Sequence, residues 1–147
     1  MNTNYKTVTK ANEIYWATLS LFDTGGQNTY SALVPIYLKT WKLVIIVFDI
    51  TDYDSFLVWE KYLKLAYHCC PKATKILVGN KIDLNHKRTV PYDKALKFAN
   101  KNEITYFEVS VATSYNLEFW IDNILMIYLD EHIIEHDEDE EQSELSN

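Results

Sequence analysis

Two glycine-containing segments carry residue types and spacings that could contribute to a nucleotide site. The chain has three glycines, which lie in the segments DTGGQ at 23–27 and GNKID at 79–83, each at the end of a strand-like run. Each segment is typical of one half of such a site. With no other glycine, the sequence cannot contain the G-x-x-x-x-G-K-[ST] loop that cradles phosphates in many nucleotide-binding proteins. The residues therefore indicate nucleotide chemistry without its phosphate loop.

The elements that must position these segments follow from hydrophobic patterning. Three continuous apolar runs predict parallel strands buried on both faces: Leu43–Phe48, Lys75–Val78 and Tyr106–Val109. Helical spacing of apolar residues lies between and after them. The predicted helices are Ser55–His68, with Phe56, Trp59, Leu63 and Tyr67 on one face and Asp52 or Asp54 as its cap, then Asp93–Lys101, and a last helix from Asn116.

The first part of the chain has a different pattern. Tyr5–Lys10 and Tyr15–Phe22 predict two strands joined by a short turn, a hairpin. A hairpin followed by alternating helices and strands predicts an α/β sheet with one antiparallel edge. In such sheets, ligands bind at the carboxyl ends of the strands. Both glycine segments and Ser110 fall there.

The length and the charge distribution limit the possible domain organisation. The 147 residues suffice for one domain, and 48% hydrophobic residues support a substantial core. The net charge of −7 is concentrated at the end, where residues 130–147 include nine acidic residues and neither Lys nor Arg. Such a segment cannot bury itself. We therefore predict a globular domain over residues 1–129 and an acidic, disordered tail over 130–147.

Other features limit the possible functions. Cys69 and Cys70 are adjacent and without a third cysteine, so neither a zinc nor a disulfide framework is predicted, and a reducing compartment fits. We expect packing or surface roles for both cysteines and for His68. The sequence has no apolar run of membrane-spanning length and no lipidation motif. These features predict a cytoplasmic protein without a direct membrane anchor.

Three segments together resemble the Ras-like small GTPases. DTGGQ at 23–27, NKID at 80–83 and EVSVA at 108–112 occur in that family's order and spacing, and the resemblance covers about residues 4–128. The segments YSALVPIY at 30–37 and DITD at 49–52 are similar to the Rab branch, and the combination of Tyr30 and Pro35 is similar to early-endosomal Rabs. The resemblance implies a small-GTPase sheet with helices on both faces, here lacking the first strand and first helix.

The resemblance assigns guanine recognition to the second and third segments. A fixed carboxylate such as Asp83 can accept from the N1 and N2 donors of guanine, a pair that adenine lacks. Asn80 is implied to support the base and the loop, and the stem of Lys81 to lie along the ring. Backbone N–H groups of the Ser110–Ala112 segment, near Val111 and Ala112, would reach O6. The family's usual lysine is replaced by Ala112, so one base-packing side chain is lost.

The resemblance assigns phosphate chemistry to the first segment. Asp23 would hold Mg²⁺ through water, the Gly26 N–H would meet the γ-phosphate, and Gln27 would orient the attacking water. GTP or GDP with Mg²⁺ would therefore be the ligands. Gly25 replaces the family's usual alanine, which should loosen the backbone that presents Gln27.

Alignment to the family places residue 1 just after the switch threonine, so the phosphate loop would lie upstream. Losing about four charge-assisted hydrogen bonds, each ~1.5–3 kcal/mol, would remove roughly 6–12 kcal/mol of binding. That corresponds to at least about four decades of affinity. We expect weak or absent GTP binding and impaired hydrolysis in this chain. The missing central strand would also leave two open sheet edges, unless the flanking strands close on each other or the chain is a fragment.

The resemblance also implies a partner surface. The aromatic triad that Rab proteins show to effectors corresponds to Tyr5, Phe22 and Tyr37, all still aromatic. Isolated surface aromatics are also common without any partner. Three interpretations remain open: a Rab-type GTPase switch in vesicle traffic, a non-catalytic Rab-like interaction module, and an unrelated doubly wound binding domain. Expected partners are Rab-type effector or regulatory proteins, not nucleic acid, with endomembranes reached only through those partners.

Overall fold

The computed structural model describes residues 3–10, 13–20 and 41–144, with side chains at Ser20 and from 41 to 130. Its elements in chain order are β1 (Thr3–Lys10), β2 (Glu13–Ser20), β3 (Leu43–Asp49), α1 (Tyr53–Cys69), β4 (Thr74–Asn80), a 3₁₀ helix (Ile82–Lys87), α2 (Tyr92–Lys101), β5 (Thr105–Glu108) and α3 (Leu117–Glu144). They fall into two compact units: residues 24–120, and residues 1–23 with 121–147. The domain bounds expected from the sequence stay a prediction.

A three-stranded parallel sheet in the order β3-β4-β5 forms the centre of the unit 24–120. All three predicted strands are confirmed, and so is the α/β fold class. The expected burial on both faces holds for β4, where Ile76, Leu77 and Val78 are almost fully buried. It is wrong for β3, because Phe48 faces the core while Val47, on the opposite face, is 56% exposed. Strand β3 is at the edge of this sheet. At Val47 and Phe48, only one of its two faces is covered.

Helix α1 confirms the predicted helix and distinguishes its two candidate caps. Asp52 Oδ1 accepts hydrogen bonds from Asp54 N (3.0 Å) and Ser55 N (3.3 Å), so Asp52 is the N-cap. On the predicted face, Phe56, Trp59 and Leu63 are buried. Tyr67 follows at the same spacing, two residues before the end of the helix, and is 43% exposed. Its hydroxyl donates to the Asn102 carbonyl at 2.8 Å, a polar contact that favours a position at the surface.

Helices α1 and α2 contribute to one hydrophobic cluster on one face of the parallel sheet. Two consecutive right-handed crossovers between adjacent strands put both helices on the same side. The Phe56 ring lies at the centre of the cluster, with ring centroids 5.0 Å from Phe48 and 5.5 Å from Phe98. Trp59 packs on Phe98 at 5.2 Å. These contacts fix the helices against the strands whose ends carry the predicted site.

The adjacent cysteines have the packing role that we predicted. Cys69 and Cys70 are free thiols, buried in a small cluster with Ala66 and Ala73. The Cys70 thiol donates to the Ala66 carbonyl, with 3.2 Å between sulfur and oxygen, and burial raises the pKa of Cys70. A thiol that is buried and harder to ionise is a poor nucleophile. The neighbouring His68 is exposed.

The other unit contains the hairpin. Strands β1 and β2 pair antiparallel from Thr3↔Ser20 to Lys10↔Glu13, which confirms the predicted hairpin. This hairpin is a two-stranded sheet in the order β1-β2. The expectation that it forms an antiparallel edge of the parallel sheet stays a prediction.

Helix α3 begins at Leu117, close to the predicted start at Asn116, and its last residue is Glu144. Glutamate is a good helix former, and elongation of an existing helix costs little. The predicted disorder of the acidic residues 130–147 stays a prediction. No helix in the described ranges is both long enough and apolar enough to span a bilayer.

Candidate nucleotide site

The carboxyl ends of the three parallel strands bring polar residues to one edge of the sheet. The register pairs Asp49 with Asn80 and Gly79 with Glu108. The pairing extends one step further, because Ile50 N donates to the Asn80 carbonyl at 3.1 Å. This is the edge at which α/β sheets bind ligands. The structure thus places the second and third predicted segments side by side.

Asn80 connects these two segments through its side chain. Its Oδ1 accepts from Lys81 N at 2.7 Å and from Val111 N at 3.1 Å. Lys81 has φ 69°, in the left-handed region that residues with a Cβ seldom adopt. The Asn80 amide therefore holds a sharp turn after β4 and attaches it to the loop after β5. The role that the resemblance implied for Asn80 toward the base stays a prediction.

Asp83 and Ser110 form the closest polar contact of the site. Ser110 Oγ donates to Asp83 Oδ1 at 2.5 Å, and Ser110 itself is fully buried. The Thr113 N–H donates to the same Ser110 oxygen at 3.2 Å. Asp83 is exposed near the start of the 3₁₀ helix. An ionised carboxylate has about four acceptor positions, so Asp83 keeps capacity for a pair of ligand donors.

The Val111 and Ala112 N–H groups in the loop after β5 are not equally available to a ligand. The Val111 N–H is committed to Asn80, whereas no acceptor for the Ala112 N–H is seen among the described residues. Of the two N–H groups predicted to reach O6, that of Ala112 is the one left for a ligand. The Val111 side chain is 61% exposed and Ala112 is exposed as well. The base-packing lysine of the family has no substitute at this position.

The Lys81 side chain is held by a residue to which the sequence assigned no role. Its ammonium lies 2.6 Å from Asp49 Oδ2, while Asp49 Oδ1 accepts from Thr51 N (2.8 Å) and Thr51 Oγ1 (2.7 Å). Burial by itself would raise the pKa of Asp49, but hydrogen bonds from Lys81 and Thr51 outweigh it and hold that pKa below its usual value. The hydrogen bond to Asp49 raises the pKa of Lys81.

A second unpredicted group lies at the end of β5. The Arg88 guanidinium forms two parallel hydrogen bonds with the Glu108 carboxylate, at 2.7 and 2.8 Å. The Tyr106 hydroxyl donates to Glu108 Oε1 at 2.6 Å. A Cβ at Gly79 would approach that hydroxyl to 2.8 Å, so the third glycine is required by close packing. Opposite charges 20 residues apart in sequence carry no local signal that they will pair.

Several predicted site residues fall outside this geometry. Asp23, Gly26 and Gln27, assigned to phosphate, metal and water, lie outside the described residues, as do Phe22 and Tyr37 of the aromatic triad. Tyr5 lies in β1, where the structure describes the backbone only. Within the described part of the chain, no cluster of His, Cys, Asp and Glu could hold a metal ion. The roles of these residues remain predictions.

A parallel α/β unit with polar turns at the carboxyl ends of its strands is the arrangement of a small-GTPase nucleotide domain. Comparisons with known proteins agree: a family model described as Ras family matches residues 2–129. Over 101 residues the chain is 37% identical to GTP-binding protein YPT1 of Saccharomyces cerevisiae, which covers 68% of this chain and 49% of YPT1. The chain belongs to the Ras family of small GTPases, in its Rab branch. It spans about half the length of this curated relative.

Proposed function

We propose that this protein is a Rab-type switch of vesicle traffic that recognises guanine nucleotides through Asn80, Asp83 and Ser110. The observation that carries the proposal is the 2.5 Å hydrogen bond from buried Ser110 to Asp83. It fixes a carboxylate beside a loop with an available backbone donor. A carboxylate and an N–H donor in fixed positions complement the N1, N2 and O6 groups of guanine, whereas adenine presents a different pattern.

The proposed reaction is attack of water on the γ-phosphate, with Gln27 orienting the water and Asp23 holding Mg²⁺ through water. Both assignments rest on the family resemblance. A polypeptide of these 147 residues has no G-x-x-x-x-G-K-[ST] motif. We therefore expect it to bind GTP or GDP weakly and to hydrolyse GTP negligibly.

Nucleotide titration of the 147-residue polypeptide tests the proposal. Fluorescent GDP should bind more tightly than fluorescent ADP, and Asp83→Ala should remove this preference. Asp93→Ala is the matched control, since Asp93 is an exposed aspartate in the first turn of α2. Equal affinity for the two bases, or an unchanged preference in Asp83→Ala, would contradict guanine recognition. Magnesium-dependent binding tighter than micromolar would instead contradict the proposed weakness of the phosphate site.

A second candidate is a non-catalytic interaction module that uses the aromatic triad Tyr5, Phe22 and Tyr37. It is favoured by Ala112 in place of the family's lysine. This candidate predicts that a Rab-type regulatory or effector protein binds equally well with and without guanine nucleotide, and that Tyr37→Ala weakens binding. Nucleotide-dependent partner binding would favour the switch.

Membrane contact through a partner is part of both candidates. Six of the seven residues from 135 to 141 are acidic. An anionic leaflet repels such a segment. Flotation with vesicles containing phosphatidylserine tests this point, because the isolated polypeptide should stay in the aqueous fraction. Stable flotation without a partner would refute it.

A further inference from the structure

Glu108 is the centre of a hydrogen-bonded group beneath the candidate guanine site. Its carboxylate accepts two bonds from Arg88 (2.7 and 2.8 Å) and one from the Tyr106 hydroxyl (2.6 Å). Its backbone carbonyl accepts from Asn116 Nδ2 at 2.8 Å. Arg88 Nε in turn donates to Asn85 Oδ1 at 2.7 Å. We refer to Glu108, Arg88, Tyr106 and Asn116 as the Glu108 brace.

The brace joins the two segments that would contact the base. Arg88 follows the 3₁₀ helix that contains Asp83, and Asn85 lies within that helix. Glu108 ends β5 two residues before Ser110, the donor to Asp83. Asn116 closes the loop after β5 with φ 65°, in the left-handed region. The brace therefore holds both ends of that loop and the far end of the 3₁₀ helix in a fixed relation.

Burial makes this ion pair different from the surface pairs of the protein. The side chains of Arg88 and Glu108 are 20% and 14% exposed. Those of Lys64 and Glu60 in α1, by comparison, are 76% and 57% exposed. Exposed pairs contribute little, whereas removing one partner of a shielded, two-bond pair leaves the other charge uncompensated. Burial also raises the pKa of Tyr106, which keeps its hydroxyl protonated as a donor to Glu108.

We propose that Glu108 is a positioning residue for guanine recognition, which sets the distance between Asp83 and the Ala112 N–H in the loop after β5. This inference rests on the proposed function. Glu108 contacts no base itself; it acts through Arg88 on one segment and through Asn116 on the other. Alignment of two recognition groups from different loops requires such a support, since small displacements weaken paired hydrogen bonds steeply.

The test compares nucleotides that differ by one donor. Inosine diphosphate lacks the 2-amino group of guanosine diphosphate, so the ratio of their affinities measures how well Asp83 engages both donors. We expect Glu108→Gln to weaken binding of guanosine diphosphate about 10-fold, the lower end of the range found for residues that support metal ligands, and inosine diphosphate less. A loss of folded protein would lower both affinities equally and leave the ratio unchanged. Glu60→Gln is the control.

Amide hydrogen exchange of the unliganded polypeptide provides a second measurement. In Glu108→Gln the Ser110 and Val111 N–H groups should exchange at least about 10-fold faster through local opening, while Leu77 in β4 exchanges as before. Where Glu108→Gln does not fold, Arg88→Lys has the same expectations, because lysine keeps the charge but lacks the two-pronged geometry.

The outcomes separate the two proposals. A lower ratio of guanosine to inosine diphosphate affinity, with faster exchange at Ser110 and Val111, supports the positioning role. An unchanged ratio, or exchange that stays at the wild-type rate, overturns it. A wild-type chain that does not prefer guanine over adenine refutes the proposed function. In that case, unchanged exchange at Ser110 and Val111 in Glu108→Gln would also overturn the structural role of the brace. Faster exchange would establish the brace as a support of the loop alone.

Discussion

The Lys81 ammonium lies 2.6 Å from Asp49 Oδ2, which joins the last residue of β3 to the turn after β4. Asp49 is itself fixed by two bonds from Thr51. The proposed site would use the stem of Lys81 as a wall for the base. The ion pair holds the end of that flexible side chain, and the family's second base-packing lysine is absent at Ala112.

The first prediction concerns the ionisation of Asp49. Lys81→Met should raise the pKa of Asp49, measured by NMR titration of its carboxyl carbon, because the main hydrogen bond that lowers this pKa is lost. Lys64→Met is the control; it should raise the pKa of Glu60, which Lys64 lowers, and leave Asp49 unchanged. An Asp49 pKa that is the same in wild type and Lys81→Met would show that the pair does not persist in solution.

The sign of the pH dependence follows from the two shifts. The pKa of Asp49 is lowered on folding, so its stabilisation is present above the unfolded value of about 3.9 and lost as the pH falls through the folded value. The pKa of Lys81 is raised, so its contribution is present below about 10.4 and lost as the pH rises through the folded value. In urea unfolding, the difference between wild type and Asp49→Asn should therefore be constant near neutral pH and shrink below about pH 4.

The second prediction concerns Gly79. An added Cβ would lie 2.8 Å from the Tyr106 hydroxyl, 3.1 Å from Ile50 and 3.2 Å from Phe48. Gly79→Ala should lower the free energy of unfolding by about 1–3 kcal/mol, the usual cost of overpacking. Tyr106→Phe removes the nearest of these atoms. The double variant Gly79→Ala/Tyr106→Phe should therefore lose less stability than the sum of the single variants in urea unfolding; strict additivity would contradict the clash.

The third prediction separates two neighbouring aspartates. Asp52 accepts two backbone N–H bonds at the start of α1. Asp54 lies in the first turn, where its negative charge interacts favourably with the helix dipole. Asp52→Ala should cost about 0.5–2 kcal/mol of stability through loss of the cap. Asp54→Ala should cost less, about 0.3–1 kcal/mol, because only its interaction with the helix dipole is lost. Thermal unfolding by circular dichroism measures both, and a reversed order would reject Asp52 as the cap.

The fourth prediction tests the core of the unit 24–120 with adjacent residues of one helix. Phe56 is 1% exposed and Leu57 is 57% exposed. Phe56→Ala should cost about 3–5 kcal/mol, because it leaves a cavity among Phe48, Trp59 and Phe98. Leu57→Ala should change stability by no more than about 0.5 kcal/mol. Similar losses in the two variants, measured by urea unfolding, would contradict this orientation of α1.

Elements with a strong local signal were predictable. The apolar run at Leu43–Phe48 became β3, and the spacing of Phe56, Trp59 and Leu63 became the buried face of α1. The acidic end has no such single signal, because its charge favours solvation whereas the helix propensity of glutamate favours extension of α3. Val47 shows a related limit, since an apolar run does not indicate which of its side chains will be covered.

The sequence by itself determined the family and the composition of the recognition segments. The spacing of NKID at 80–83 and EVSVA at 108–112 was sufficient for that. Motifs and the order of strands and loops can be recognised along the chain without knowing which residues meet in space. It also determined that the loop after β5 has alanine at 112.

Only the tertiary structure decided which polar groups meet. The parallel register sets Asp49 beside Asn80 and Gly79 beside Glu108, and it brings Ser110 to Asp83 over 27 residues and Arg88 to Glu108 over 20. Charges and hydroxyl groups have many possible partners in a sequence, and their pairing depends on the positions that strand packing leaves open to them. For that reason a role for Asp83 could be proposed from its motif, whereas the hydrogen bonds of the Glu108 brace could be found only in the folded chain.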